Sequence, residues 1–438
     1  MLKRKISGYL KAWKESHGDE CLLVQGARQV GKSYAIEAFG HAEYESVILI
    51  DFVKHPDLMA IFNGSLEPDD IQSRISLLLP GAKYVDGSTL LFLDEIQECP
   101  QARSSLKYLA VDRRMDVIAS GSLLGIRFRQ MENAPSLPVG YERQVTMRPL
   151  DFEEYLWARG YDENAIGLLR GYAHKMESVP QAVHNAMMGL LREYIAVGGM
   201  PAVVDSFCSG RDFGSAHDAQ LMLHDLYLDD IARYAPPVER VKARECYLSL
   251  PRQLAKENTK FQYSVVQKKG SARKFDGSVS WIVGAEMALE CRSVSMPTFP
   301  LESYESDAFR LYANDTGMLM AMYDFEMKAA VVDDTLKGPM KGGLYENLVA
   351  CMLASKQLAL RYWLSSDTKH EIEFLLDGPH ASVVPIEVKA SRDSTVSLNE
   401  MLSREDVRVG YKLTGGNVGA AGKKMTLPLY LGAFADFR

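Results

Sequence analysis

The chain opens with apolar positions Ile6, Tyr9, Leu10 and Trp13 at helical spacing between lysines, which predicts an amphipathic helix within residues 1–20. From Cys21 the pattern changes to short, continuous apolar runs: Cys21–Val24, Val47–Ile50, Leu90–Leu93 and Val117–Ala119. Polar, helix-forming stretches separate them, with Gly81, Gly87, Pro100 and Gly121 at the turns. Uninterrupted apolar strands alternating with helices predict a parallel sheet covered on both faces. Around Pro149-Leu150 the pattern becomes helical and stays so to about Tyr234, where Pro236-Pro237 breaks it. After Pro300 a mixed α/β pattern returns and ends in alternating strands. No repeat or low-complexity tract interrupts this order.

The first run leads into Gly26-Ala27-Arg28-Gln29-Val30-Gly31-Lys32-Ser33, which satisfies GxxxxGK[ST] with a strand before it and a helix, Ser33–Phe39, after it. Glycines let successive backbone N–H groups curl around phosphate oxygens, and a helix N-terminus adds positive partial charge. Residues Gly26 to Tyr34 are therefore the candidate ATP-binding segment, with Lys32 reaching the β- and γ-phosphates and the Ser33 hydroxyl on Mg²⁺. The run Leu90–Leu93 ends in Asp94-Glu95; Asp94 suits the Mg²⁺ shell and Glu95 the polarising of an attacking water, the plainer alternative being a helix cap. Ser120-Gly121-Ser122 after the next run offers a contact to the γ-phosphate or is a simple turn. Arg143 and Arg148 are candidates for a transition-state arginine.

Composition narrows the classes. At 438 residues the chain is too long for one core, and 50 Lys+Arg against 57 Asp+Glu give a net charge of −7. Any nucleic-acid contact must then come from a local patch. No apolar run is long enough to span a bilayer, no signal-peptide core follows the basic start, and six scattered cysteines suggest reduced thiols in a cytoplasmic protein. Nine histidines show no HxxxH or HExxH spacing, and none is assigned to zinc.

At these residues the chain resembles the AAA+-like P-loop ATPases of bacteria and archaea that carry a C-terminal domain of unassigned function. The likeness runs through Gly26–Ser33, Leu93–Gln97, Ala119–Ser122, Pro149–Tyr155, Tyr194–Pro201, Leu311–Gly317, Tyr345–Asn347 and Ile386–Lys389. It implies ATP binding, hydrolysis, and a C-terminal half similar to a winged helix followed by a nuclease-like fold. One departure stands out: the family often has a basic residue directly after the glycine matching Gly140, and here it is Tyr141.

Two later segments carry candidate chemistry. Residues 237–276 hold ten Lys/Arg against four acids, a local +6 in an acidic chain. Within 261–291, helices at Ser264–Lys269 and Asp276–Ala288 would flank Lys268, Lys269, Arg273 and Lys274, as in a winged-helix module meeting DNA phosphates; a solvated charged face is the alternative. Further on, Glu371–Leu376 and Val383–Lys389 alternate as strands around an Asp377-Gly378 hairpin signal. Glu387 and Lys389 must share a face, Glu373 can join them, and Glu346 can complete the cluster. This looks like the PD-(D/E)xK nuclease core, which implies Glu373 and Glu387 on Mg²⁺, with Lys389 and Glu346 as further catalytic residues. The family's first hairpin acid is usually Asp, whereas Glu373 is one methylene longer.

The expected fold class is α/β: an AAA+-like P-loop parallel sheet (1–150), a helical lid (151–235), a winged-helix-like module (236–300) and a restriction-endonuclease-like domain (301–438). The expected function is a Mg²⁺-dependent ATPase, with Lys32, Asp94 and Glu95 catalytic, whose nucleotide state controls a DNA-facing C-terminal half. The alternatives are an ATP-regulated DNA endonuclease and a scaffold ATPase with an inactive nuclease fold. ATP, DNA through residues 237–276 and a second copy of the chain are the candidate partners.

Overall fold

The computed structural model describes residues 2–16, 18–122, 140–256, 260–365, 370–390 and 395–437, which divide into two compact units. The first contains residues 3–148 with 284–286, the second residues 149–283 and 287–438.

In the first unit, Ile6–Ser16 forms the leading helix and buries Ile6, Leu10 and Trp13 along one stripe. Strands β1 (Cys21–Gln25), β2 (Ser46–Asp51), β3 (Thr89–Asp94) and β4 (Asp116–Gly121) form where the apolar runs predict them. A fifth strand, β5 (Glu142–Thr146), completes a sheet of order β2-β3-β4-β1-β5, all parallel. The sequence ERQVT has no apolar run, which is why pattern alone did not predict β5; it is an edge strand, only partly buried, that pairs with β1. Interior β3 is buried at every position, as its unbroken apolar run requires. Helices Lys32–Glu43, Pro68–Leu78 and Pro100–Asp112 connect the strands. The last two begin on proline, whose missing N–H costs nothing in the first turn.

The second unit starts with helices Phe152–Ala158, Glu163–Lys175, Gln181–Val197, Pro201–Gly210 and Phe213–Tyr234. It ends in an eight-stranded mixed sheet formed by β6 (Ala288–Val294), β7 (Glu305–Ala313), β8 (Arg361–Leu364), β9 (Glu371–Gly378), β10 (Ser382–Lys389), β11 (Gly410–Thr414), β12 (Gly419–Ala421) and β13 (Lys424–Pro428). The order is β12-β13-β11-β10-β9-β8-β6-β7. Apart from 284–286, residues 151–235, 236–300 and 301–438, read from the sequence as three segments, fall in this unit, and the antiparallel pair β6 and β7 spans position 300.

Three motifs of the sequence meet in one buried knot of this unit. Asp151 caps the helix Phe152–Ala158 through a capping box with Glu154. Next to it, the Leu150 N–H donates to the Gly199 carbonyl (2.7 Å), and the Tyr194 hydroxyl donates to the Leu150 carbonyl (2.7 Å). The Gly199 N–H in turn donates to Asp315 Oδ2 (2.6 Å), while Asp315 Oδ1 caps the helix Thr316–Met320 by accepting from the Met318 N–H (2.9 Å). A side chain on Gly199 would sit 2.0 Å from the Leu150 carbonyl oxygen, so only hydrogen fits.

Two local predictions shift. The helices of the basic segment are Tyr263–Val266 and Ala272–Gly284, not Ser264–Lys269 and Asp276–Ala288. Lys269 takes a positive φ (65°), and a Cβ on Gly270 would meet the Tyr263 carbonyl oxygen at 2.2 Å, so the first helix stops early and Ala288 already opens β6. In the β9–β10 hairpin Asp377 and Gly378 are the last paired residues, opposite Val383 and Ser382, and the turn is Pro379–Ala381.

Gly199→Ala is expected to destabilise the second unit by about 3 kcal/mol or more in urea unfolding. Gly171→Ala, in the helix Glu163–Lys175 with nothing within 4 Å, should be neutral or slightly stabilising.

Candidate functional site

The phosphate loop lies between β1 and the helix Lys32–Glu43. Positive φ at Gln29 (63°) and Gly31 (91°) coils it, and a Cβ on Gly26 would fall 2.1 Å from the Met147 carbonyl oxygen. That carbonyl belongs to the residue following β5, so the unpredicted strand forms one wall of the loop. Lys32 is buried, and its ammonium donates to the Gly26 (3.0 Å) and Ala27 (2.9 Å) carbonyls. Burial lowers its pKa to about 8, against the carboxylates of Glu95 and Asp94, which favour the charge. Tyr34, by contrast, is 56% exposed.

Asp94 and Glu95 stand at the end of β3, beside the end of β4. Asp94 Oδ1 accepts from the Ser120 hydroxyl and from the Glu95 N–H (3.1 Å). Glu95 takes a left-handed conformation (φ 54°), rare for a branched-free acid outside turns, and its Oε2 accepts from Gln97 Nε2 and, at 3.4 Å, from Ser122. Ser120 and Ser122, read from the sequence as γ-phosphate contacts or a turn, are here braces for the two acids. Gln97 is a further brace that spacing could have revealed, since it follows Glu95 by two.

The donors suit Mg²⁺ beside a triphosphate: Asp94 Oδ1 is engaged, the Ser33 hydroxyl has no hydrogen bond among the described residues, and Mg²⁺ takes a hydroxyl, a carboxylate and phosphate oxygens. Arg143 pairs with Glu20 (Nη2–Oε2 2.6 Å) and Arg148 with Glu286 (2.6 Å), so both arginines are committed to partners.

The second cluster lies on the β9–β10 hairpin and the helix Pro339–Ser355. Lys389 Nζ sits 3.1 Å from Glu373 Oε1 and 3.4 Å from Glu387 Oε1, so these three residues meet. Glu373 Oε2 also accepts from the Val388 N–H (3.2 Å). Burial opposes charge on Lys389, but Glu373 and Glu387 outweigh it and raise its pKa. Burial also raises Glu373, and Glu387 to about 7. Among the described residues, Glu387 Oε2 is buried without a hydrogen-bond partner.

Glu346 is held apart from this triad. Its Oε2 accepts from the Tyr312 hydroxyl (3.0 Å) and lies 3.7 Å from Arg310 Nη1. Burial raises its carboxyl to about 7, with Arg310 opposing and the Glu373 charge adding to the shift. Arg310 and Tyr312 share one face of β7, and the fully buried Arg310 also pairs with Glu371 and lies over the Tyr362 ring (4.1 Å). Asn347 fixes the helix, its amide bonding both the N–H and the carbonyl of Ala313. Strand alternation put no signal on Arg310, because a charged residue inside an apolar strand usually marks an exposed position. Among the described residues no group of three or more His, Cys, Asp or Glu could hold a metal ion; the two hairpin ligands read from the sequence, Glu373 and Glu387, meet only through Lys389.

In the basic segment, Lys268, Lys269, Arg273 and Lys274 are exposed on the turn before the helix Ala272–Gly284 and on its first turn. Lys274 also bonds Gln267 and lies over the Phe275 ring (5.3 Å), and others of the ten are bound locally: Lys242 to Glu239 (3.0 Å), Lys256 to Gln262 (2.7 Å) and Arg240 to the Ala235 carbonyl (2.9 Å).

Residues 18–156 match the family described as "AAA domain". Residues 188–329 match "Domain of unknown function (DUF8612)" and residues 341–429 "Domain of unknown function (DUF4143)". No curated protein matches. Similar solved structures include the Walker-type ATPase of Pyrococcus abyssi (15% identity, 74% of this chain and 96% of that one, TM-score 0.43). The ORC2 protein of Aeropyrum pernix in ADPNP–ADP complexes is similar at 11% identity over 76% of this chain and 94% of that one, with a TM-score of 0.34. No helix among the described residues is long and apolar enough to cross a membrane. With the phosphate loop and β3 acids inside the matched segment, ATP binding by an AAA-type P-loop ATPase domain is supported at the level of the family.

The unpartnered Glu387 oxygen gives a stability test. Its carboxyl ionises in the folded chain near 7, above the usual carboxylate range, so folding binds a proton there and stability falls as pH rises toward 7. In chelator-containing buffer at pH 8, Glu387→Gln should stabilise the fold by about 1 kcal/mol, because Lys389 keeps Glu373 as partner. The gain should shrink below pH 6 in urea titrations.

Proposed function

We propose that the chain is a Mg²⁺-dependent ATPase whose nucleotide state controls a C-terminal, DNA-facing, nuclease-like region. The observation that carries this reading is the buried Lys32 in its coiled loop, beside two carboxylates each braced by a serine. A buried ammonium that bonds only loop carbonyls is suited to exchange them for phosphate oxygens, which bind it more strongly. Backbone N–H groups of Gly26–Ser33 would cradle the phosphates, and the helix Lys32–Glu43 adds its N-terminal dipole. Ser33 and Asp94 would hold Mg²⁺, which neutralises charge on the β- and γ-phosphates when bound. Glu95, fixed by Gln97 and Ser122, would orient the attacking water and accept its proton. Ser120 ties Asp94 to the end of β4, so a change at the γ-phosphate would be felt at two strands.

The DNA-facing part rests on Lys268, Lys269, Arg273 and Lys274, exposed together around a helix N-terminus between the helices Tyr263–Val266 and Ala272–Gly284, where a winged-helix module would meet phosphates. A second reading, a metal-dependent DNA endonuclease governed by ATP, is favoured by one observation: the buried Glu387 oxygen that no group among the described residues satisfies. Two carboxylates with a phosphodiester oxygen and waters make an ordinary Mg²⁺ set, and Lys389, now bridging the pair, would move onto the scissile phosphate.

ATP hydrolysis and binding, with and without duplex DNA at modest salt, test the proposal. Lys32→Ala should weaken ATP binding by about a hundredfold or more. Glu95→Gln should keep binding and lose about a hundredfold in turnover. Normal affinity in the first or normal turnover in the second removes that residue from the mechanism. Replacing Lys268, Lys269, Arg273 and Lys274 with Gln should abolish any DNA response and flatten its salt dependence. Mg²⁺- or Mn²⁺-dependent nicking lost in Lys389→Ala would support the endonuclease; no DNA response at all would favour a scaffold role.

A further inference from the structure

The second unit contains a cavity of about 510 Å³ that none of the groups above uses. Gln181, Asn185, Met188 and Arg192 form one wall, on a single face of the helix Gln181–Val197. Asp334, Lys341 and Tyr345 form another, and the turn Thr414–Asn417 closes a third side next to Ala390. The cavity therefore opens at the carboxyl ends of the neighbouring parallel strands β10 and β11, the place where α/β sheets usually bind ligands. Its size falls within the ordinary range of small-molecule sites.

The turn is held rigidly. Buried His184 lies 3.2 Å from the Gly415 carbonyl through Nε2 and 3.2 Å from the Tyr430 hydroxyl through Nδ1. A carbonyl only accepts, so Nε2 carries a proton, and the Nδ1 contact with the tyrosine hydroxyl is a second hydrogen bond. Asn417 adds a reciprocal pair with Val179, Oδ1 accepting the N–H (3.0 Å) and Nδ2 donating to the carbonyl (2.7 Å). These bonds join positions more than 200 residues apart and fix a glycine-containing turn against a helix, as a preformed site requires.

The charge at one end suits an anion. Lys341 Nζ is 2.6 Å from Asp334 Oδ1, and Arg192 Nη1 is 3.8 Å from Oδ2, while Arg192 Nε donates to the Val332 carbonyl (3.1 Å). Asp334 is 46% exposed and can swing outward, leaving a guanidinium and an ammonium facing the cavity. Two cations match a phosphate monoester, which carries about −1.5 to −2 charges at neutral pH. Gln181 and Asn185 supply amides for the rest of a polar ligand.

We propose that this cavity binds a phosphate-bearing small molecule of about mononucleotide size, its phosphate between Arg192 and Lys341. The site is independent of the phosphate loop. Tyr345 and Ala390 adjoin Glu346 and Lys389 in the chain, so occupancy would bear on the carboxylate–lysine cluster.

The test uses the full chain carrying Lys32→Ala, which silences the phosphate loop, titrated calorimetrically with AMP and separately with inorganic phosphate. Saturable binding of either probe at or below about 1 mM, weakened at least about tenfold by Arg192→Gln with Lys341→Gln, is expected. Saturation by phosphate alone still supports the anion end; saturation by AMP alone supports the whole ligand. No saturation by either probe, or binding that the double variant leaves unchanged, overturns the proposal. Should the double variant fail to melt cooperatively, Lys341→Gln alone, at a side chain in contact with solvent, gives the same readout.

Discussion

The buried carboxylate of Asp315 is the constraint on which the second unit depends. It accepts the Gly199 N–H with one oxygen and caps a helix with the other, while Leu150 bonds the Gly199 carbonyl. Burial raises its pKa to about 6, opposed by the N–H groups of Gly199, Met318 and Gly317. A desolvated acid persists only where such donors converge, and here they come from segments more than a hundred residues apart. The knot ties the helical run to β7, the strand that leads into Asp315.

The same logic of paired buried charge recurs at both chemical centres, with different outcomes. In the first unit Lys32 is desolvated against loop carbonyls, and the acids opposite it are braced by hydroxyl and amide donors. Everything there is held, and the lysine has only weak partners to surrender. On the β9–β10 hairpin the lysine is fully engaged by two carboxylates, and it is an acid oxygen that lacks a partner. A site organised for stability alone would satisfy that oxygen or replace it with an apolar atom.

Behind this cluster, Arg310 is placed between Glu346 and Glu371 over an aromatic face, so a second buried charge system backs the first. The Arg310 charge opposes the burial that raises Glu346, while the Glu373 and Glu371 charges add to that shift. The helix carrying Glu346 also presents Lys341 and Tyr345 to the neighbouring cavity, which gives one rigid element contact with both places.

Much was legible in the residues alone. Continuous apolar runs specified β1 to β4, because a strand covered on both faces has no polar position to spare. The glycine and lysine spacing located the phosphate loop, since only such residues tolerate its backbone and supply its charge. Separation by two fixed Glu387 and Lys389 on one face. What only the tertiary structure decided has a common cause: it depends on partners distant in sequence. β5 is polar and becomes a strand by pairing with β1; the knot needs Leu150, Gly199 and Asp315 together; Arg310 is buried because Glu346 and Glu371 neutralise it. Periodicity reports which face a residue turns toward the interior, but not which charge awaits it there.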